Sequence, residues 1–164
     1  MNATCNMSLP DAQPGYSQGA RRNILLVDDD PAVRKMLGLL LTGEGYTVLL
    51  ATNGSEAIHA ARVEEVDLVL LDLNLPGMDG WDTFERLTSE NPRLPIIVIT
   101  DRPNQGFAAM SAGIGASLEK PLNVPKLFLA IRDLLDEPDE IRLARLAGRP
   151  SQFHHVPPLA AGSV

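Results

Sequence analysis

An α/β fold, with one parallel sheet covered by helices on both faces, follows from two features of this sequence. From Asn23 onward, short apolar runs alternate with segments of helical periodicity, the order that builds successive βαβ units. The runs are continuously apolar and carry β-branched residues, as suits strands buried on both sides.

The elements can be justified in chain order. Residues 1–21 are rich in Asn, Gln, Ser, Pro and Gly without periodicity, so a disordered leader is expected there. Arg21 and Arg22 read as solvated charges at a domain edge. Strands are expected over residues 24–27, 46–50, 67–71 and 95–99, and a weaker one over 116–118. Between the first two, Val33, Met36, Leu37, Leu40 and Leu41 follow the spacing of one helix face. Asp30-Pro31 opens that helix as cap and first-turn proline. Asn53 and Glu56 have capping-box spacing at the next helix. Trp81, Phe84 and Leu87 mark a third, and residues 103–112 a short alanine-rich fourth. Val124, Leu127, Phe128, Ile131 and Leu135 mark a fifth. Composition shifts after Glu137. A domain over residues 22–137 is therefore expected, followed by a tail over 138–164 with a short helix at 138–148. That helix is expected to extend the fifth, with Arg142, Arg145 and Arg149 as the charges by which it would otherwise dock on a partner. The rest is expected to be flexible, and His154-His155 is assigned no role.

Composition narrows the function. The 164 residues suit one domain with tails, and a 45% hydrophobic fraction is that of a soluble globular chain. The formal charge of −7 argues against an electrostatic grip on nucleic acid or an anionic membrane. Cys5 is the sole cysteine, which rules out a disulfide framework within the chain and suits a reducing compartment. No apolar run approaches the roughly 20 residues that span a bilayer, and the leader lacks secretory-signal order. The expected location is the cytoplasm.

Chemistry gathers beyond the carboxyl ends of strands in such sheets. The first strand is followed by Asp28-Asp29-Asp30, the third by Asp72, the fourth by Thr100 and the fifth by Glu119-Lys120-Pro121. Each alone has a bland reading: a solvated loop, a helix cap for Asp30, a turn hydroxyl, a solvated amine. Together they place acids, a hydroxyl and an ammonium along one sheet edge. Clustered carboxylates repel and raise each other's pKa. A divalent cation relieves that repulsion, and hard oxygen donors suit Mg²⁺ or Mn²⁺.

Four segments carry a resemblance: residues 24–31 ending in Asp28-Asp29-Asp30-Pro31, residues 72–80 from Asp72 through Pro76-Gly77 to Asp79-Gly80, residues 96–100 ending in Thr100, and Lys120-Pro121. In this order and spacing they resemble the receiver domain of two-component response regulators, over roughly residues 23–136. The resemblance implies a flavodoxin-like, doubly wound (βα)5 fold with a five-stranded parallel sheet in the order 2-1-3-4-5. It implies that Asp72 is the phosphoacceptor. Asp28, Asp29, Asp72 and the backbone carbonyl of Asn74 would hold the metal. Thr100 and Lys120 would bind the phosphoryl oxygens, with Lys120-Pro121 in the cis form. The implied partners are a sensor histidine kinase or a histidine phosphotransfer protein, and a downstream protein target. The fourth helix, fifth strand and fifth helix would form the altered surface and a route to a homodimer. No enzyme activity beyond the chain's own phosphorylation and dephosphorylation is implied.

Two positions depart from the family pattern. Ser117 stands where the fifth strand usually carries an aromatic residue, with Phe107 as the candidate substitute, and Asp101 stands where a small residue commonly follows the threonine. Asp101 is expected either to slow the approach of anionic donors or simply to face outward. Pro103, Gly106, Gly113 and Gly115 are expected to weaken the fourth helix and favour mobility, which places partner recognition there. A rival reading is an interaction module of the same fold that no longer uses phosphate. A more distant one is a phosphohydrolase of the haloacid-dehalogenase type, but Ala32 stands where that family expects Thr or Val. No helix-turn-helix pattern or basic stripe follows Glu137, so output through protein contact or phosphorelay is expected rather than DNA binding.

Overall fold

The computed structural model describes residues 21–103, 105–149 and 153–160, with the side chain of Phe107 also outside the description. The leader expected over residues 1–21 thus lies, apart from Arg21, outside the described residues. The elements run β1 Asn23–Val27, α1 Pro31–Gly43, β2 Thr47–Ala51, α2 Gly54–Val63, β3 Leu68–Asp72 and α3 Gly80–Glu90. They continue as β4 Ile96–Thr100, α4 Gln105–Ser111, β5 Ala116–Glu119, α5 Val124–Asp136, α6 Asp139–Leu146 and β6 His154–Val156. The described sheet is parallel throughout, in the order β2-β1-β3-β4-β5-β6.

Two apolar layers hold the sheet. Ile24, Leu26, Leu68, Leu70, Ile97 and Ile99 point into a layer shared with Leu37 and Leu41 of α1 and Leu127, Ile131 and Leu134 of α5. Their strand neighbours Leu25, Val27, Val69, Leu71, Ile96 and Val98 point the other way, against α2, α3 and α4. Both parities are apolar because both faces are covered, which is why these strands read as continuous runs. Asp72 and Thr100 are the last residues of β3 and β4, one place further inside the strands than expected.

Local signals set the helix starts. The Asp30 side chain accepts from the N–H of Ala32 at 2.8 Å, with Pro31 in the first turn of α1. Asn53 accepts from the N–H of Glu56 at 2.9 Å. The reciprocal half of the capping box is displaced by one residue: Glu56 accepts from the N–H and the hydroxyl of Thr52, at 2.7 and 2.8 Å.

The structure corrects the reading of the C-terminal region. Among the described residues the sheet has six strands, not five, because residues 154–156 pair with β5 instead of forming a flexible tail. The expected helix exists, but it does not extend α5: Glu137 is extended before Pro138, and α6 starts anew. Arg142 and Arg145 are buried in the fold rather than left for a partner. The Arg145 guanidinium donates to both oxygens of Glu137, at 2.6 and 2.7 Å. Arg142 donates to the carbonyls of Arg93 and Leu134, at 2.5 and 2.8 Å. A sequence shows the arginines but not the carboxylate and carbonyls that receive them.

Gly80 is held by close approach. Its backbone does not need positive φ; instead a Cβ there would lie 2.4 Å from the Cα of Leu73. The start of α3 therefore rests on the strand-end backbone that follows Asp72. Gly80→Ala should lower unfolding free energy by about 1–3 kcal/mol, the usual range for overpacking a closed site, read as a lower urea midpoint with an unchanged slope; an unshifted midpoint would refute the close approach.

Candidate functional site

The parallel register brings four strand ends to one edge of the sheet. Asp28 follows β1, Asp72 ends β3, Thr100 ends β4, and Lys120 follows β5. Asp28, Asp72 and Thr100 are buried, whereas Asp29 is exposed. Lys120 Nζ donates to Asp72 Oδ2 at 2.8 Å and to Asp28 Oδ2 at 3.1 Å, so one ammonium joins carboxylates from two strands. Its backbone N–H donates to the carbonyl of Thr100 at 2.8 Å, which ties the amine's own backbone to the end of β4. The Lys120-Pro121 peptide is cis.

Each carboxylate has a further partner on the backbone. Asp28 Oδ1 accepts from the N–H of Asp30 at 2.9 Å, and Asp72 Oδ1 accepts from the N–H of Asn74 at 2.8 Å. Burial pushes the Asp28 carboxyl above its ordinary value; the Asp30 N–H pulls it down, the Asp72 charge adds to the rise, and Lys120 offsets part of it. For Lys120, burial works against the charged form, but the Asp72 and Asp28 carboxylates outweigh it and hold the ammonium above its usual range.

Asp28, Asp29 and Asp72 each offer an oxygen within 4.8 Å of the others. Three hard anionic donors, two of them buried and balanced by a single ammonium, form a donor set that fits Mg²⁺ or Mn²⁺. Beside them opens a cleft of about 460 Å³, lined among others by Asp29, Asn74, Trp81, Thr100, Arg102 and Gln105. Thr100 Oγ accepts from the N–H of Arg102 at 3.0 Å, and a hydroxyl that accepts one bond retains its own hydrogen to donate.

The expected site residues thus fall into two groups. Asp28, Asp29, Asp72, Asn74, Thr100 and Lys120 converge. Asp101 is exposed, and its carboxylate accepts a hydrogen bond from the Asn74 side-chain amide, linking the loops after β3 and β4. Ser117 lies inside β5, away from the edge; its hydroxyl is buried without a hydrogen-bond partner. Phe107 falls outside the described side chains. Trp81 was read only as a marker of the third helix, and Arg102 and Gln105 escaped the sequence reading; their signal as cleft residues was proximity to Gly80 and Thr100. Arg34 also escaped it: it donates to the Asp28 carbonyl at 2.7 Å from the first turn of α1.

Comparison with known proteins agrees with this geometry. Residues 24–132 match the family model of the response regulator receiver domain, and the chain belongs to that family. It is 39% identical over 117 residues to the transcriptional regulatory protein GlrR of Escherichia coli, an alignment covering 70% of this chain and 26% of that protein. The chain thus spans about a quarter of that relative's length. The CheY-like receiver domain protein of Methanospirillum hungatei superposes with a TM-score of 0.68 at 31% identity, covering 74% of this chain and 98% of that one. The response regulator TrrA of Thermotoga maritima, solved in complex with Mg²⁺-BeF, superposes with a TM-score of 0.65 at 29% identity, covering 69% and 98%.

The paired amine sets an expectation for metal affinity. A cation entering the acidic cluster must share it with the Lys120 ammonium, and like charges near a protein surface repel by ~1–4 kcal/mol at 4 Å. Lys120→Met should therefore tighten Mg²⁺ binding by about tenfold, equivalent to roughly 1.4 kcal/mol, in a titration followed by Trp81 fluorescence. Protons compete for the same oxygens. Because the Asp28 carboxyl is raised, Mg²⁺ affinity should already fall at a pH above the ordinary aspartate range. Affinity that is flat until that range is reached would contradict the raised carboxyl.

Proposed function

We propose that Asp72 accepts a phosphoryl group from a phosphohistidine on a sensor kinase or histidine phosphotransfer protein, and that the resulting acyl phosphate sets the protein's signalling state. The observation that carries this reading is the Lys120 ammonium, 2.8 Å from Asp72 and 3.1 Å from Asp28. Such a bridge puts a positive point charge beside the carboxylate that would become the acyl phosphate.

An Asp72 oxygen attacks phosphorus, the new O–P bond forms as the donor's N–P bond breaks, and the imidazole leaves with the electron pair. Asp28, Asp29, Asp72 and the Asn74 carbonyl would hold Mg²⁺ (or Mn²⁺), which supplies charge neutralisation at the phosphoryl oxygens. Lys120 turns from carboxylate to phosphoryl oxygen. The Thr100 hydroxyl donates its hydrogen to another of those oxygens. Attack of water on phosphorus, with the Asp72 carboxylate as leaving group, hydrolyses the acyl phosphate to inorganic phosphate and returns the resting state, and no other catalysis is assigned.

Residues 22–137 form the receiver unit in this reading, and output runs through protein contact or phosphorelay in the cytoplasm. The formal charge of −7 disfavours direct contact with DNA. Among the described residues no helix is long and apolar enough to cross a membrane.

Incubation with acetyl phosphate and Mg²⁺ should add one acid-labile phosphoryl group, mapped to Asp72 after borohydride reduction. Asp72→Asn should abolish it, whereas Asp28→Asn should slow labelling but leave it at Asp72. Label that survives in Asp72→Asn, or maps to Asp28, would overturn the assignment. An Asp72→Asn chain that still signals fully would favour the phosphate-independent module instead.

A further inference from the structure

The family match ends at residue 132, yet the chain continues into α6 and β6, which pack back onto it. Three glycines within the matched region make room for this arm or for the helix that leads to it. A Cβ at Gly113 would lie 2.9 Å from the Cα of Leu146, and one at Gly115 would lie 2.6 Å from Leu134 and 3.0 Å from Arg145. A Cβ at Gly106 would lie 2.9 Å from Nδ1 of His155. These glycines allow close approach, and Gly113 also takes a positive φ.

The two parts of the arm are held unequally. The buried guanidinium groups of Arg142 and Arg145 anchor α6 on Glu137 and on the carbonyls of Arg93, Leu134 and Gly113. The strand β6 has three residues and pairs only along β5. Val156 is buried in one apolar layer and Phe153 packs partly buried in the other. His155 remains 38% exposed. A short strand on one edge opens more readily than the core beneath it.

The places β6 touches flank the phosphoryl site. Gly106 lies in α4, on the segment that follows Thr100. Glu119 precedes Lys120, and its carboxylate lies 3.7 Å from His155 Nε2. Beyond the strand, Leu159 donates its N–H to the carbonyl of Pro121 at 3.1 Å. In the proposed function a phosphoryl group on Asp72 draws both the Thr100 hydroxyl and the Lys120 ammonium, which belong to the segments that carry these contacts.

We propose that β6 is a built-in cover of the β5 edge, released when Asp72 is phosphorylated, while α6 stays docked as its hinge. Release exposes a row of backbone N–H and C=O groups on β5 that are paired within the chain at rest. The α4–β5–α5 surface is thereby closed at its strand edge in the resting chain. This inference rests on the phosphoacceptor reading and adds to it the means by which the surface is uncovered.

Hydrogen exchange on the full chain, with and without beryllofluoride and Mg²⁺, tests it, with Trp81 emission reporting binding separately. Exchange at residues 153–156 should rise by about 5- to 150-fold, the usual range of coupling between two sites, while residues 139–146 are unchanged. Val156→Asp, which forces β6 off, should by reciprocity raise beryllofluoride affinity. Bound beryllofluoride with unchanged or slower exchange at 153–156, or unchanged affinity in Val156→Asp, overturns this inference alone. Beryllofluoride that fails to bind overturns the phosphoacceptor reading and this inference with it.

Discussion

The Lys120 ammonium stands between two buried carboxylates, Asp28 and Asp72, that come from different strands. Without a cation, two buried carboxylates would face one another with no opposite charge to offset them. The amine makes the acidic cluster tolerable in the resting fold, and it is itself held by a backbone bond to Thr100. The strand order brings β1, β3 and β5 to one edge and so makes this bridge possible, and the cleft lined by Asp29 and Thr100 opens beside it.

The scaffold keeps that edge rigid by ordinary means. Alternate residues of β1, β3 and β4 fill two separate apolar layers, so the strands cannot slide by one residue without exchanging layers. Gly80 seats α3 directly on the backbone of Leu73, and the Asn74 N–H holds one Asp72 oxygen. The link between Asn74 and Asp101 joins the two loops that border the cleft, which gives Asp101 a structural partner in addition to its charge.

The arm formed by α6 and β6 changes how the far edge of the sheet is understood. In the family expectation β5 is the last strand, and its edge belongs to the recognition surface. Here that edge is already paired within the chain, and Gly106, Gly113 and Gly115 mark where the arm and the end of α5 press closest. The close approach at these glycines is invisible in a linear reading, because the atom that would meet a side chain there comes from distant residues.

Much of the fold and site was legible in the sequence because it is written in local patterns. Continuous apolar runs, helix periodicities, the Asp30 and Asn53 caps and the polar residues at strand ends are all short-range signals. They determined the α/β class and the candidates Asp28, Asp29, Asp72, Thr100 and Lys120 before any contact was known. Tertiary structure alone decided that the Lys120 amine reaches both acids, that Arg142 and Arg145 are buried against Glu137 and distant carbonyls, and that His154–Val156 forms a sixth strand. These are pairings between residues far apart in the chain. A charged or histidine-bearing segment looks the same in sequence whether it faces water or finds its partners across the fold, and only the arrangement of the partners settles which.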